Sequence, residues 1–198
     1  MKLFYSTGAC SLAAHIAAIE TRMPHQLVKV THDKRTSDGR DFMTISPNGF
    51  VPALEFDDGT VLTETIAVLI YIAAQSGTLL PENSPNYWKA IEATSFLTTE
   101  VHSNFKPLWR NGTAEEKDKA FRLLAKHFSF LATQLGEKTF LASQQMTIAD
   151  PYLFVMLMWA RVHRIVVPAS LDSYFSRMHK ESSVARAIAE EQEHMPAH

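Results

Sequence analysis

Cysteine is almost missing from this sequence, and neither sign of charge is in excess. Cys10 is the sole cysteine among 198 residues, which excludes an internal disulfide, and nine scattered histidines without a second thiol give no zinc-binding pattern. With 19 basic and 21 acidic residues, the composition indicates neither a nucleic-acid partner nor binding to an anionic membrane surface. We therefore expect no metal, and a partner that is a small molecule or another protein.

Long apolar runs are missing as well. No apolar stretch reaches the roughly 20 residues that a membrane-spanning helix needs, and Met1 leads into a predicted strand rather than into a basic and then apolar leader. These absences predict a cytoplasmic protein without a membrane segment. The length allows one large domain or two small ones, each able to bury a core without disulfides, and we favour two.

The first stretch of the chain brings the cysteine to a predicted helix start. Residues 2–6 carry apolar side chains on both faces, which is typical of a buried strand, and Gly8 then breaks the strand. From Ser11 onward, apolar residues recur at helical spacing, which places Cys10 at or just before the first turn. Free N–H groups and the helix dipole at that position favour a reactive thiolate. The alternative, from position alone, is that Cys10 is a small buried hydrophobic residue.

Two further strand regions and a helix complete a mixed α/β part. Residues 26–31 alternate as a second strand, which we expect to run parallel to the first because a helix separates them. Residues 51–62 form a predicted hairpin with an Asp-Gly turn, and Pro52 must lie at the start of its strand or follow a cis bond. Thr63 is predicted to cap the next helix. The start of that helix, with the Thr65 hydroxyl, can hold an anion, and ordinary capping is the alternative.

A linker at residues 77–84 separates this part from a second half that is predicted to be helical. A long helix is expected from Tyr87 until Pro107 disturbs it, and residues 114–135 form another amphipathic helix. One face of the long helix carries a polar stripe that faces either solvent or a cleft, made of Ser95, Thr98, Thr99, His102 and Lys106.

The last third of the chain begins with a capping box, in which Thr147 and Asp150 precede a nearly all-apolar helix. Pro151 is tolerated there because it lies in the first helical turn. Residues 171–189 form a predicted final helix, and the tail after it is expected to be loose.

Five motifs, which occur in this order along the chain, resemble those of the glutathione S-transferases, most closely the bacterial beta class. They are KLFYS-x-GACSL around Cys10, SPNGFVPALEFDDG around Pro52, LTE ahead of a helix, TEVH with His102, and TIADPYLF. The resemblance covers essentially the whole chain. It implies a fold with an α/β thioredoxin-like glutathione-binding domain at residues 1–76 and an all-α helical domain at residues 86–198, assembled as a homodimer.

The resemblance also implies roles for individual residues. The implied catalytic residues, which surround the sulfur of glutathione, are Cys10, Ser11 and His102. The implied glutathione-binding residues are Arg35, Val51, Pro52, Glu64, Thr65 and Ser95. Among them, the Val51 backbone would meet the cysteinyl part of glutathione and Arg35 the glycyl carboxylate. The implied hydrophobic substrate pocket consists of Phe105, Leu108 and Trp109, with Trp159 beside them. The chain departs from the family pattern at Thr7, Thr65, Ser95 and Ser103.

The main functional hypothesis is therefore a glutathione transferase that adds glutathione thiolate to small hydrophobic electrophiles, with glutathione as cosubstrate. Two alternatives stay open. One is thiol exchange or peroxide reduction through a mixed disulfide between Cys10 and glutathione. The other is a non-catalytic carrier of hydrophobic ligands on the same fold.

Overall fold

The structure is a computed structural model that describes residues 1–80 and 84–193. Its chain divides into two compact units. The first consists of Met1–Thr78 together with the segment that begins at Glu181, and the second consists of Leu79–Lys180.

A four-stranded mixed sheet lies at the centre of the described part of the first unit. Its strands are β1 (Lys2–Tyr5), β2 (Gln26–Lys29), β3 (Ala53–Glu55) and β4 (Val61–Thr63), in the spatial order β2-β1-β3-β4. β1 pairs parallel to β2 and antiparallel to β3, and β3 pairs antiparallel to β4. Leu3, Phe4 and Tyr5 are all at most 1% exposed, because β1 is covered on both faces. The predicted buried strand, parallel pair and hairpin are confirmed.

Two α-helices cover this sheet within residues 1–76, all of which are described: α1 (Ser11–Glu20) and α2 (Thr65–Ser76). Alanines 13, 14 and 17 of α1 are completely buried, since small side chains allow the helix to approach its neighbours closely. The sequence between β2 and β3 contains only a 3₁₀ turn at Phe42–Thr44. That segment is polar, and Arg40 orders it by pairing with Glu55 through two hydrogen bonds of 2.6 and 2.9 Å.

All the regular secondary structure among the described residues of the second unit is helical. This unit contains α3 (Pro85–Phe96), a π-helical turn (Leu97–His102), α4 (Ser103–Trp109), α5 (Ala114–Leu135), α6 (Ala149–Val162) and α7 (Ala169–Met178). α6 forms the core of this unit, because eleven of its fourteen residues are buried. The predicted fold class, a thioredoxin-like sheet domain followed by a helical part, is confirmed. Within the described ranges, no helix is both long and apolar enough to cross a membrane.

The long helix that we expected from Tyr87 to Pro107 is confirmed as one continuous helical run from Pro85 to Trp109, but a π-helical turn at Leu97–His102 interrupts its regular hydrogen bonding. The Thr98 hydroxyl donates to the Thr94 carbonyl at 2.9 Å, and the Thr99 hydroxyl donates to the Ser95 carbonyl at 3.1 Å. These bonds compete for carbonyl groups that a regular helix uses for its own N–H groups, which locally distorts the helix. π-helical turns of this kind occur frequently at functional sites.

The predicted final helix at residues 171–189 is wrong, because two helices occupy the end of the chain. α7 ends at Met178, and α8 (Ser182–Glu193) follows and packs against α1 in the first unit. The expectation of a loose tail fails for Glu190 to Glu193, which are helical, and residues 194–198 lie outside the described residues. The domain bounds 1–76 and 86–198 stay a prediction. The division into compact units differs from these bounds, because α8 packs against α1 and groups with the first unit.

Candidate active site

Cys10 lies where β1, α1 and the loop before β3 meet. It is the N-cap residue of α1, as predicted, and its backbone is already close to helical with φ −60° and ψ −20°. The Cys10 thiol donates a hydrogen bond of 3.2 Å to the main-chain carbonyl of Val51. The Val51–Pro52 peptide bond is cis, which confirms the second of the two alternatives predicted for Pro52. The first unit therefore brings together Cys10, Val51 and Pro52, three of the site residues that the family resemblance implied.

The environment of the Cys10 sulfur favours the neutral thiol. Burial raises the pKa of this thiol to about 11, although hydrogen bonds from the Thr65 hydroxyl and from the N–H groups of Cys10 and Ser11 lower it. The nearby Glu64 carboxylate raises the pKa further. Burial therefore opposes the thiolate that the helix start was expected to favour, and the reactive thiolate stays a prediction.

The hydroxyl of Ser11 is occupied by the turn between β1 and α1. It accepts a hydrogen bond of 3.2 Å from the Ser6 N–H and donates one of 3.3 Å to the Ser6 carbonyl, and Ser11 is completely buried. The group that Ser11 offers to the Cys10 sulfur is its backbone N–H. The catalytic role that the resemblance implies for Ser11 stays a prediction.

The start of α2 lies beside the same thiol. Glu64, and not Thr63 as predicted, is the N-cap residue, because Thr63 still pairs with Ala53 in the sheet. Glu64 has φ 71° and ψ 125°, a conformation that residues other than glycine rarely adopt, and strained backbone of this kind is concentrated at functional sites. Its side chain is exposed, whereas Thr65 is buried. The free N–H groups at this helix start, together with Thr65, make a place where a carboxylate can bind.

A basic residue that the motif analysis did not assign also contacts the loop before β3. The Lys34 ammonium donates to the Gly49 carbonyl at 2.7 Å, and Lys34 itself has a positive φ of 63°. The neighbouring Arg35 is exposed and pairs through its backbone with Asp41. The implied carboxylate-binding role of Arg35 stays a prediction, and Lys34 fixes the loop that carries Val51.

His102 belongs to the second unit, at the end of the π-helical turn. Burial, followed by the positive charge of Lys106, lowers its pKa to about 4, so the ring is neutral at physiological pH. A hydrogen bond of 2.7 Å joins its Nδ1 atom to the Tyr152 hydroxyl. The Trp159 ring lies edge-on to the imidazole, with 5.0 Å between the ring centroids.

An aromatic cluster of Phe105, Trp109, Tyr152 and Trp159 lies around His102, and it contains two of the implied pocket residues, Phe105 and Trp109. Trp109 is 42% exposed, while Phe105 is completely buried and stacks against it at 5.7 Å. Phe105 therefore supports the Trp109 ring and has no exposed surface of its own. This corrects the prediction that Phe105 lines a pocket. Leu108 is half-buried, and Ser95 is half-buried on α3.

A buried acidic residue on α8 holds the turn that precedes the cysteine. The Glu191 carboxylate accepts a hydrogen bond of 3.0 Å from the Gly8 N–H and is only 2% exposed. The completely buried His15 lies between two glutamates, with 2.9 Å from its Nε2 to Glu190 Oε2 and 3.5 Å from its Nδ1 to Glu191 Oε1. α8 thereby holds Thr7 and Gly8, in the turn that precedes Cys10, through hydrogen bonds to Glu191.

We expect Glu191→Ala to lower the free energy of unfolding by roughly 2–4 kcal/mol, because it removes the buried carboxylate that accepts from the Gly8 N–H and lies 3.5 Å from the buried His15 ring. Urea titration measures the loss, and Glu191→Gln, which keeps one acceptor oxygen, is expected to lose less. The matched control is Glu193→Ala, since Glu193 is exposed on the same helix. Equal losses for Glu191→Ala and Glu193→Ala would contradict this role of α8.

Comparison with known protein families identifies the fold and its motifs. The family described as "Glutathione S-transferase, N-terminal domain" matches residues 7–75, and "Glutathione S-transferase, C-terminal domain" matches residues 65–179, which is more than half of the chain. The chain belongs to the glutathione S-transferase family. The predicted enzyme class, a transferase, is thereby confirmed.

Individual relatives of this glutathione S-transferase match it over nearly their whole length. Glutathione S-transferase GstA of Escherichia coli O157:H7 is 37% identical over 198 residues, which are 96% of this chain and 98% of GstA. A sphingomonad glutathione S-transferase complexed with glutathione has a TM-score of 0.89 at 36% identity, with 97% and 99% of the two chains covered. The bacterial beta class enzyme of Sphingomonas chungbukensis has a TM-score of 0.88 at 38% identity, with 96% and 98% covered.

Three residues of this glutathione S-transferase escaped the sequence analysis of the site. Tyr152 carried a recognisable signal, because a phenol inside a nearly all-apolar helix requires a hydrogen-bond partner. Lys34 carried none, and neither did His163, which accepts a hydrogen bond of 2.9 Å from the Trp109 indole N–H, since both contacts depend on how distant segments pack. Among the described residues, no cluster of three or more His, Cys, Asp or Glu side chains has an arrangement that could hold a metal ion.

Proposed function

We propose that this protein transfers glutathione, its cosubstrate, to small hydrophobic electrophiles, and that Cys10 acts on the glutathione sulfur as a neutral hydrogen-bond donor. The observation that carries the proposal is the place of the Cys10 thiol, which lies at a helix start and donates to the Val51 carbonyl, and burial raises the pKa of this thiol to about 11. In conjugation the nucleophile is the glutathione thiolate, and donors aimed at a developing or resident anion stabilise it. A protonated Cys10 can serve as such a donor, whereas thiol exchange through Cys10 requires it to ionise.

Several features of the first unit support glutathione as the cosubstrate. The Val51 backbone lies directly beside Cys10, where a peptide-like ligand can form main-chain hydrogen bonds of the strand type. The start of α2, with Glu64 and Thr65, offers an acceptor, a hydroxyl and N–H groups for the charged γ-glutamyl end. The exposed guanidinium of Arg35 suits the glycyl carboxylate. The similar sphingomonad enzyme is described in complex with glutathione.

The aromatic cluster of the second unit supports an apolar electrophile. The exposed part of the Trp109 indole offers a flat apolar surface, and the buried rings behind it keep it in place. His102, which is neutral, can accept or donate a hydrogen bond without adding a charge to this surface.

We expect the pH profile of conjugation to be independent of His102. Because burial lowers the pKa of His102 to about 4, the ring stays neutral as the pH falls from 8 towards about 5. Profiles of kcat/KM measured for the wild type and for His102→Gln should have the same shape over that range. An inflection near the ordinary histidine value of 6.5 that disappears in His102→Gln would contradict a neutral His102.

Binding and turnover of the wild-type protein test the proposal. We expect retention on immobilised glutathione, elution by free glutathione, and conjugation of glutathione to 1-chloro-2,4-dinitrobenzene. Retention without turnover of this or of other small electrophiles would favour the carrier hypothesis and contradict the proposal.

We also propose a cytosolic homodimer. A C₂ dimer is the commonest assembly of soluble proteins, and the family resemblance implies one. Sedimentation at micromolar concentration should give twice the chain mass of 22.3 kDa, and a species of 22.3 kDa alone would contradict the dimer.

A further inference from the structure

One hydrogen bond in the second unit joins the ends of two helices through their side chains. Trp109 is the last residue of α4, and His163 directly follows the end of α6. The Trp109 indole N–H donates to His163 Nε2 at a distance of 2.9 Å. Since an indole N–H can only donate, the Nε2 atom must be the acceptor, and the His163 ring is the neutral tautomer with its proton on Nδ1.

This bond adds a directional contact to an indole that its aromatic neighbours leave partly exposed. The Trp109 ring packs edge-on against Trp159 with 4.2 Å between centroids and stacks on Phe105, which leaves 42% of the residue exposed. A side chain in the last turn of a helix retains rotamer freedom that packing on one face does not remove. The backbone of His163 is anchored, because its main-chain N–H donates to the Trp159 carbonyl at 3.0 Å. Burial lowers the pKa of His163, which keeps its ring neutral and able to accept.

We propose that His163 is a positioning residue that holds the Trp109 indole as a flat wall of the electrophile site, and that it thereby favours planar aromatic electrophiles over compact ones. The inference rests on the proposed function, because it assumes that the exposed part of Trp109 meets the electrophile. His163 acts through Trp109 and does not need to touch the substrate.

Steady-state kinetics of His163→Ala and His163→Gln test the proposal. We expect His163→Ala to raise the KM for 1-chloro-2,4-dinitrobenzene by about 3- to 10-fold, the range that the loss of one net hydrogen bond supports. The KM for glutathione and the kinetics with iodomethane, a compact electrophile, should stay within about twofold of the wild type. Glutamine places an oxygen near the position of Nε2, so His163→Gln is expected to restore most of the loss.

A matched control separates this effect from a general disturbance of the end of α6. Val162 is 72% exposed and immediately precedes His163, so Val162→Ala should leave all of these constants unchanged. A loss in His163→Ala that is equal for both electrophiles, or that His163→Gln does not restore, would overturn the proposal.

A spectroscopic readout tests the bond without relying on activity. The indole N–H signal of Trp109 in nitrogen-15 NMR, assigned with Trp109→Phe, should exchange slowly with water in the wild type and in His163→Gln. It should exchange faster and shift in His163→Ala. If the wild type lacks conjugating activity, the proposed function fails while this measurement still decides the bond. If the wild type is active and the signal is unaffected in His163→Ala, the positioning role fails by itself.

Discussion

Replacing Cys10 with alanine is expected to abolish any mixed disulfide with glutathione and to lower kcat/KM for conjugation by at most about a hundredfold. The two effects differ because the cysteine has a different part in each reaction. In thiol exchange the Cys10 sulfur itself forms the new bond, and the chain offers no second cysteine to replace it. Under the proposed function, Cys10 contributes to conjugation only one hydrogen bond to the glutathione sulfur among several donors, and losing such a donor costs up to about 3 kcal/mol.

Cys10→Ser distinguishes the donor role from the nucleophilic one. Its hydroxyl still donates, so we expect conjugation close to the wild-type rate together with complete loss of the mixed disulfide. The assays are conjugation of 1-chloro-2,4-dinitrobenzene and reduction of a glutathione mixed disulfide, with glutathione binding as the control for an intact site. If Cys10→Ser is as inactive in conjugation as in thiol exchange while it still binds glutathione, the donor role is wrong.

The largest loss of stability is expected for Asp150→Ala, at roughly 3–5 kcal/mol, which corresponds to a fall in melting temperature of about 10 °C. The Asp150 carboxylate is completely buried and accepts hydrogen bonds at 2.7 Å from both the Leu141 and Thr147 N–H groups. It also accepts from the Thr147 hydroxyl at 2.9 Å and from the Tyr174 hydroxyl at 2.8 Å. Alanine removes the acceptor of all four of these buried hydrogen bonds.

Asp172→Ala is the matched control for this substitution. Asp172 lies on α7, where its side chain is 58% exposed and pairs with Arg161 at 2.6 Å, and exposed ion pairs of this kind contribute at most about 1 kcal/mol. Urea titrations of both variants compare the losses directly. The loss of stability for Asp150→Asn should lie between those of Asp150→Ala and Asp172→Ala, because the NH₂ group of asparagine replaces one of the two acceptor oxygens. A loss for Asp150→Ala no greater than that for Asp172→Ala would show that the carboxylate is not a structural centre of the second unit.

Local sequence patterns predicted those features that local physics determines. The buried alternation of β1, the break at Gly8 and the apolar spacing after Ser11 placed Cys10 at the helix start, where the structure has it. Residues 114–135 match α5 at both ends, because amphipathic helical spacing is a short-range signal. The capping box predicted that Asp150 reaches back to Thr147, but it could not show that Leu141 and Tyr174 donate to the same carboxylate.

The features that sequence reasoning missed depend on contacts between distant segments. The helix dipole at Cys10 is a local effect, whereas the burial that raises its pKa comes from packing against the loop at Val51 and the start of α2. The two glutamates near the chain end were assigned to a loose tail because no local pattern shows that His15 is buried opposite them. The hydrogen bond between Trp109 and His163 joins residues 54 positions apart, and no helical or strand period predicts it.

Ultraviolet titration of thiolate absorbance tests the role of Cys10 most directly, because every protein thiolate in this chain must come from its one cysteine. For the free protein we expect no thiolate signal below about pH 8.5, the ordinary value for a cysteine thiol, since burial raises the pKa of Cys10 to about 11. With saturating glutathione we expect a thiolate signal that titrates below that value and persists in Cys10→Ser. A signal that is already present in the free protein at neutral pH, and that vanishes in Cys10→Ser, would show that Cys10 is the thiolate and would contradict its assignment as a neutral donor.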